Sequence, residues 1–541
     1  MDLFATMVIL CSVLLMLSHK TDAAGFLHTR GQDMVDERGQ QVLLRGVGLG
    51  NWLLPEGYMW KFGKEADRPR RIEKLLSELL GPDEAARFWS TFRREYITEA
   101  DIQRLAELGF NSVRPALNAR LFLTEGDPPA FVEEGFGLLD NLISWCRKTG
   151  VYVILDLHAA PGGQTGQNID DSRDDQPALF LDSRNQDLVV DLWTRLASRY
   201  KDEPAVAAYD LLNEPLPART GAAAKYKYAL EPLYQRIARA IRKVDQRHMI
   251  TVEGADWAND WSVFSKPFDD NLFYQFHYYC WDRPTTLKDI SKFLAFRDKV
   301  NLPVWAGETG ERDEGIYWGT TQYFEHHNIG WSFWPWKKMD TRNTPYSITP
   351  PAGWKDIAAY SRGEAKPAKE AAQEILNQFL QNIRLENCVY RPEVVNAIFR
   401  RVPGRVEAEN YGADGLGKSY FLTDRSRNAN YYRTTEPVPI VPIEADGGRG
   451  GQAIRLGPQE WTAYSLNSLD TRRCEVKVKV KAQSTPAAFQ VSLGSFAREL
   501  DASESGWVEQ SVGSISLSKG ENRLKLMVTR GEVEFDWMSF Q

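Results

Sequence analysis

From Val42 to about Lys337, short apolar runs rich in β-branched and aromatic residues alternate with longer stretches whose apolar positions recur at helical spacing. The runs are Val42–Leu49, Phe110–Pro115, Val151–His158, Val206–Asn213, Met249–Gly254, Leu272–Tyr279, Leu302–Gly307 and Gly330–Trp336. Strands separated by helices of this length form βα units and a parallel sheet, and eight units predict closure into a (β/α)8 TIM barrel. An open doubly wound sheet is the alternative. Its phosphate loop is missing, because Gly46-Val47-Gly48-Leu49-Gly50 is followed by Asn51-Trp52-Leu53-Leu54-Pro55 and not by a helix.

Past the eighth run the pattern changes. Lys369–Leu385 has helical spacing, and Arg400-Arg401-Val402-Pro403-Gly404 reads as a linker. From Arg405 to Gln541, alternating segments such as Glu475-Val476-Lys477-Val478-Lys479-Val480 are separated by Gly-rich turns, the signature of an all-β jelly-roll or β-sandwich. At the other end, Leu3–Leu17 is apolar and small residues follow at Ala23 and Ala24. This has the shape of a signal peptide, although the basic start is replaced by Asp2. The expected organisation is therefore a signal peptide (1–24), a catalytic barrel (25–399), a linker (400–404) and a β-sandwich (405–541), in a protein that is secreted, periplasmic or held at the cell surface.

Composition narrows the partners. The 541-residue chain has a net charge of −7 and no long basic run, which argues against nucleic acid and anionic membranes. Its 17 Trp suit both a protein core and the C–H faces of sugar rings. The five Cys are scattered, and the seven His form no metal-binding spacing, so no cofactor for catalysis is expected. A monomer acting on a polysaccharide or oligosaccharide is the expectation.

The chemistry is expected at the C-terminal ends of the strands, where barrels of this kind carry it. Glu214, in Asn213-Glu214-Pro215, and Glu308, in Gly307-Glu308-Thr309-Gly310, each stand where a strand gives way to a loop. Two carboxyl groups about 5–5.5 Å apart can break a glycosidic bond with retention, one as acid and base and the other as nucleophile. Arg114 and Tyr279 are expected to keep the nucleophile Glu308 ionised, and Asn213 to bond the sugar 2-hydroxyl. Trp334 is expected to floor the subsite where the bond breaks, with His158 and His277 on the same face. Asp156 and Asp210, inside strands, are expected to make structural hydrogen bonds. A glycan-binding barrel without activity, a transglycosylase, and a glycosidase acting on another glycan or a furanoside use much the same residue types.

These motifs carry a resemblance. Residues from about Gly25 to Leu385 resemble glycoside hydrolase family 5, and His158-Ala159-Ala160-Pro161-Gly162-Gly163-Gln164-Thr165-Gly166 is similar to the strand-3 loop of its exo-β-1,3-glucanase branch. The resemblance implies a retaining barrel with Glu214 as acid/base and Glu308 as nucleophile. It also implies active-site positions at Arg114, His158, Asn213, His277, Tyr279 and Trp334. The loop Asn51–Trp60 and the insert Asn168–Ser183 depart from the characterised patterns. The C-terminal module resembles carbohydrate-binding module family 6 through Val406-Glu407-Ala408-Glu409-Asn410-Tyr411, Asn430-Tyr431-Tyr432-Arg433, Gln459-Glu460-Trp461-Thr462-Ala463-Tyr464 and Glu534-Phe535-Asp536-Trp537. It implies a structural calcium on Glu407, Glu409 and Asp536, and a sugar contact at Trp507. Arg455 and Glu534 stand where that family has an aromatic and an Asn.

Overall fold

The computed structural model describes residues 25–281, 286–426, 432–444, 451–502 and 506–541, so the expected signal peptide and the Asn430-Tyr431 half of one motif lie outside them. Eight strands close into a barrel in which every neighbouring pair is parallel. They are β1 (Arg45–Leu49), β2 (Ser112–Asn118), β3 (Tyr152–Ala159), β4 (Val206–Asp210), β5 (Met249–Glu253), β6 (Leu272–Tyr278), β7 (Val304–Gly310) and β8 (Gly330–Trp334). All but the first residue of β1 are buried, as expected of strands covered on both faces.

The strand ends differ from the sequence reading for identifiable reasons. Val42 donates its N–H to the Met34 carbonyl, so the first residues of that run belong with the N-terminal hairpin His28–Arg30/Asp33–Val35, not with β1. Expected to stop at Pro115, β2 continues past it to Asn118 through a register shift against β3. The β4 run is expected to reach Asn213; its regular pairing ends at Asp210, and the N–H groups of Leu211 and Asn213 still donate to the Thr251 and Leu157 carbonyls before the chain turns through Glu214 at a φ of 42°. The hairpin plugs the N-terminal mouth of the barrel. Leu27 and Met34 pack there with Tyr152, Ile154, Met249, Phe273 and Trp305, leaving the C-terminal mouth for chemistry.

Two inserted helices, Pro69–Leu80 and Pro82–Tyr96, pack against Lys369–Asn382 beside the barrel. An aromatic cluster of Trp60, Phe88, Trp89, Phe92, Trp354 and Phe379 fills the space, with ring centroids 4.8–6.5 Å apart. The C-terminal region is a sandwich of two six-stranded sheets. Its first strand in the second sheet, Gly404–Glu407, pairs with its last, Val533–Phe540. The expected linker is part of this structure: Arg401–Val402 pairs with the strand Trp461–Ser468, and Arg400 and Arg401 bind Glu325 and the Leu108 carbonyl of the barrel. The sandwich seats on helix Glu314–His326, where Asn410 donates to the Gly315 carbonyl at 2.7 Å and Gln322 to the Tyr411 carbonyl at 2.7 Å.

Candidate active site

Arg114 organises the mouth of the barrel. It is fully buried on β2, and its guanidinium donates to Glu308 Oε1 at 2.7 Å, Asp210 Oδ2 at 2.8 Å, Asn213 Oδ1 at 2.9 Å and Glu253 Oε1 at 2.9 Å. Asp156 Oδ2 lies 3.2 Å away. Burial opposes the charge on Arg114, but Asp156, Asp210, Glu308 and Glu253 override it and keep the group ionised. Asp156 and Asp210 thus make the structural contacts expected of them. Tyr279, just past β6, donates its hydroxyl to Glu308 Oε2 at 2.7 Å, so each oxygen of Glu308 accepts one strong hydrogen bond.

Glu214 sits in a different setting. Its side chain accepts from His277 Nδ1 at 2.6 Å, and its backbone N–H donates to Glu253 Oε2 at 2.7 Å. Burial raises its carboxyl above the usual range; His277 opposes this, while Glu308 and Glu253 add to it. Burial pushes His277 down, but Glu253, Glu308 and Glu214 around it hold it well above the ordinary histidine range. One oxygen of Glu214, one nitrogen of His277 and one oxygen of Glu308 all lie within 4.8 Å of one another. Retaining pairs have their carboxyl groups about 5–5.5 Å apart and inverting pairs roughly 6.5–9.5 Å, and an approach of single oxygens within 4.8 Å is compatible with the first. Among the described residues this trio is also the one convergent group with metal-ligand geometry. His277 and Glu214 are hydrogen-bonded to each other, and Arg114 and Tyr279 occupy Glu308.

The remaining positions join the same site. His158 Nδ1 meets Asp156 Oδ2 at 2.6 Å, and its Nε2 accepts from Asn213 Nδ2 at 3.1 Å. Burial lowers the His158 pKa to about 4, which keeps the ring neutral and suits that accepting role. The ring stacks on Trp334 at 5.2 Å, almost coplanar at 2°. Gly48 and Gly50 on the other side leave the room the indole needs, since a Cβ at Gly48 would lie 2.2 Å from Trp334 Cε3. The glycines of the first run therefore serve an indole.

Several residues of the site carry no signal in the sequence analysis. Glu253, at the end of β5, holds Arg114 with one oxygen and the Glu214 backbone with the other. Glu56 and Tyr58 come from the loop after β1. Glu56 is 2% exposed, its Oε1 has no hydrogen-bond partner, and burial together with Glu308, Glu311 and Glu214 raises its pKa well above normal. Tyr58 accepts from Trp334 Nε1 at 3.1 Å and donates to Glu311 at 3.2 Å. Gln164 donates to the carbonyls of His158 and Asn213 at 2.7 and 2.9 Å, tying the loop after β3 to the turn that carries Glu214. The signal that could have found Glu253 is position alone, a charged residue closing an apolar strand.

In the sandwich, Arg455 and Glu534 lie opposite each other in register and form a 2.5 Å ion pair, with Gln483 on the second oxygen of Glu534 at 2.7 Å. Trp507 is half-buried one residue before the next strand, with Lys479 Nζ 5.8 Å from its ring. Glu407, Glu409 and Asp536 are all buried. Arg405 grips Glu407 at 2.7 and 2.9 Å, and Lys479 meets Asp536 at 3.0 Å. Burial and the neighbouring acids still raise Glu407 to about 7 and Glu409 well above normal, and Glu409 Oε2 has no hydrogen-bond partner. A hard cation is chemically suited to these oxygens, and their donor atoms are less tightly drawn together than those of Glu214, His277 and Glu308.

Comparison with known proteins finds sequence relatives for the barrel. Residues 82–340 match the family model for cellulase, glycosyl hydrolase family 5. The chain is 29% identical over 363 residues to a beta-xylosidase of Phanerodontia chrysosporium, covering 59% of this chain and 74% of that protein. It is 32% identical over 256 residues to a probable glucan 1,3-beta-glucosidase A of Aspergillus fumigatus, covering 46% of this chain and 58% of that one. A solved beta-glucanase of Saccharophagus degradans superposes with a TM-score of 0.42 at 18% identity, covering 67% of this chain and 94% of its own. Over residues 82–340 the barrel of this chain is thus similar to glycosyl hydrolase family 5.

Proposed function

We propose that the protein is a retaining β-glycan hydrolase in which Glu308 is the nucleophile and Glu214 the acid/base. The observation that carries this reading is the unequal treatment of two neighbouring carboxylates. Glu308 accepts from a buried arginine and a tyrosine hydroxyl, while Glu214 is buried against Glu308 and Glu253, which favours its protonated form. In the first step Glu308 attacks the anomeric carbon and Glu214 gives its proton to the leaving oxygen. In the second step Glu214 takes a proton from water, which displaces Glu308. His277, hydrogen-bonded to Glu214 and 3.4 Å from Glu308 Oε2, stabilises charge moving between them.

The proposed substrate is a β-glucan, with β-1,3-linked chains first, on the strength of the glucosidase relative. The longer match to a beta-xylosidase supports a second reading, a β-xyloside. Trp281 is 51% exposed and stacks on Tyr279 at 5.1 Å, an aromatic platform beside the nucleophile for the sugar on the leaving side. Purified protein assayed on laminarin-type β-1,3-glucan, cello-oligosaccharides and aryl β-xylosides, reading product size and anomeric form, tests the proposal. A β-anomeric first product from a β-glucan is expected; an α-anomeric one would overturn retention.

Two further proposals concern the ends of the chain. The apolar leader is proposed to export the protein, which N-terminal sequencing of the mature form checks. Among the described residues no helix is long and apolar enough to cross a membrane. A calcium ion is proposed at Glu407, Glu409 and Asp536, supported by the orphaned Glu409 oxygen and the raised pKa values there.

A further inference from the structure

The sandwich has a second concave surface that takes no part in the barrel's chemistry. On strand Trp461–Ser468, the side chains of Thr462, Tyr464 and Leu466 are buried inside the sandwich, so alternation turns Trp461, Ala463 and Ser465 outward. On the neighbouring strand Gly520–Arg530, Leu524 and Leu526 are buried, and Arg523 and Lys525 face outward. The register then sets Ala463, Lys525 and Ser492 side by side across three strands. Small side chains flank the lysine, and a trough of about 350 Å³ opens there. Trp461 walls it, and Phe421, directly across the strand pair from Trp461, is 37% exposed.

The charge of this trough is one-sided. Lys418, Arg523 and Lys525 line it, and no carboxylate does. None of the three forms an ion pair or a side-chain hydrogen bond among the described residues. Lys525 Nζ instead sits 4.2 Å over the Trp461 ring, and partial burial without an anion lowers its ammonium pKa. Three cations with no anionic partner among the described residues, gathered in one trough, run against the net charge of −7 on the chain.

We infer that this trough binds an acidic glycan segment, with the carboxylate of a uronate residue meeting Lys525 and Arg523 and its ring packing on Trp461. The volume lies at the small end of ligand sites, about 300–1,000 Å³. An aromatic wall beside cations suits a charged sugar, because the C–H face stacks while the carboxylate pairs. A nucleic acid needs a longer basic track than three residues on an acidic protein provide. The inference goes beyond the proposed hydrolysis and does not rest on it, because it concerns binding away from the barrel mouth.

The test uses the full chain carrying Glu308→Gln, so that binding is read without turnover. Titration calorimetry and affinity electrophoresis compare β-linked oligoglucuronate, its methyl ester and double-stranded DNA. Oligoglucuronate is expected to bind, to weaken with added salt, and to lose about tenfold or more in affinity in a Lys525→Gln/Arg523→Gln variant. The methyl ester, with the same shape and no charge, is expected to bind about tenfold or more weakly than the acid. The same surface variant with Glu308 restored should keep wild-type melting and turnover of a small aryl glycoside, which shows that it is folded. Equal binding of acid and ester, no binding of the acid, or full affinity in the double variant would overturn the inference. DNA binding equal to that of oligoglucuronate would also overturn it, by showing a patch that selects charge alone.

Discussion

At the scale of single residues, the site turns on what surrounds each carboxylate. Removing Glu308 should abolish turnover, whereas a Glu214→Ala variant should lose about 10²–10⁴-fold and recover with external azide, an anion that attacks the glycosyl-enzyme without a base to deprotonate it. A mechanism-based fluorinated glycoside should label Glu308, read by peptide mass; labelling at another residue would reverse the assignment. The pH dependence follows from Glu214. Its carboxyl is raised by burial and by Glu308 and Glu253, so the acid keeps its proton to higher pH and activity falls as pH rises through that raised value. Glu253 contributes one of those negative charges, because His277, Arg114 and the Glu214 N–H hold it ionised against its burial. Glu253→Gln should therefore move the alkaline limb to lower pH and reduce kcat more than KM. An unmoved limb in a variant with wild-type melting would remove Glu253 from this role.

At the scale of elements, two kinds of backbone position hold the site. Glu214 lies at a φ of 42°, a left-handed conformation that a side chain rarely adopts. The Glu253 carboxylate on its N–H and Gln164 on the preceding carbonyl over-determine that turn, which is how strained positions persist at functional sites. On the opposite wall, Gly48 gives Trp334 its place. Gly48→Ala would put a methyl group 2.2 Å from Trp334 Cε3, so the indole must move off His158. We expect a stability cost of about 1–3 kcal/mol, the usual range for overpacking, together with a rise in KM as the stacked Trp334 and His158 shift. Gly137→Ala, inside helix Glu133–Thr149 where a Cβ meets nothing within 4 Å, is the contrasting control and should leave KM unchanged while raising stability by about 0.5–1 kcal/mol. Thermal melts and initial rates on the two variants decide this.

At the scale of the whole molecule, the sandwich is seated on the barrel and not tethered to it. Gly319, on helix Glu314–His326, faces Tyr432 and Asn410 so closely that a Cβ would lie 2.2 and 2.6 Å from their polar atoms. Gly319→Val should therefore unseat the sandwich, giving two separate calorimetric transitions and new protease cleavage near residues 399–405. A single unchanged transition would show that the contact carries little. Calcium is tested in the same measurement: if it is bound at Glu407, Glu409 and Asp536, chelation should lower the melting of the sandwich through linkage, by about 2.7 kcal/mol at a hundredfold excess over Kd. Unchanged melting would leave Arg405 and Lys479 as the counter-charges of that cluster.

The sequence by itself determined the barrel, the sandwich after it, and the strand ends near His158, His277, Glu308 and Trp334, whereas Arg114 lies inside β2 and Asn213 and Glu214 lie beyond β4. Their periodicity is local, and a residue closing an apolar run is visible without knowing its neighbours. What only the tertiary structure decided is who meets whom. Glu253 closes β5 like many charged residues, and nothing local tells that it holds the backbone of a residue 39 positions earlier in the chain. Glu56 and Tyr58 sit in a loop without periodicity and reach the site because β8 lies beside β1 in the closed barrel. The expected linker is likewise a set of pairings to partners far away, Asn467 and Phe540 among them. The trough on the sandwich depends on a register that sets Ala463, Lys525 and Ser492 in one row. Local composition fixes elements because helix and strand are decided by neighbours in the chain; sites form where closure and register bring distant side chains within hydrogen-bond reach.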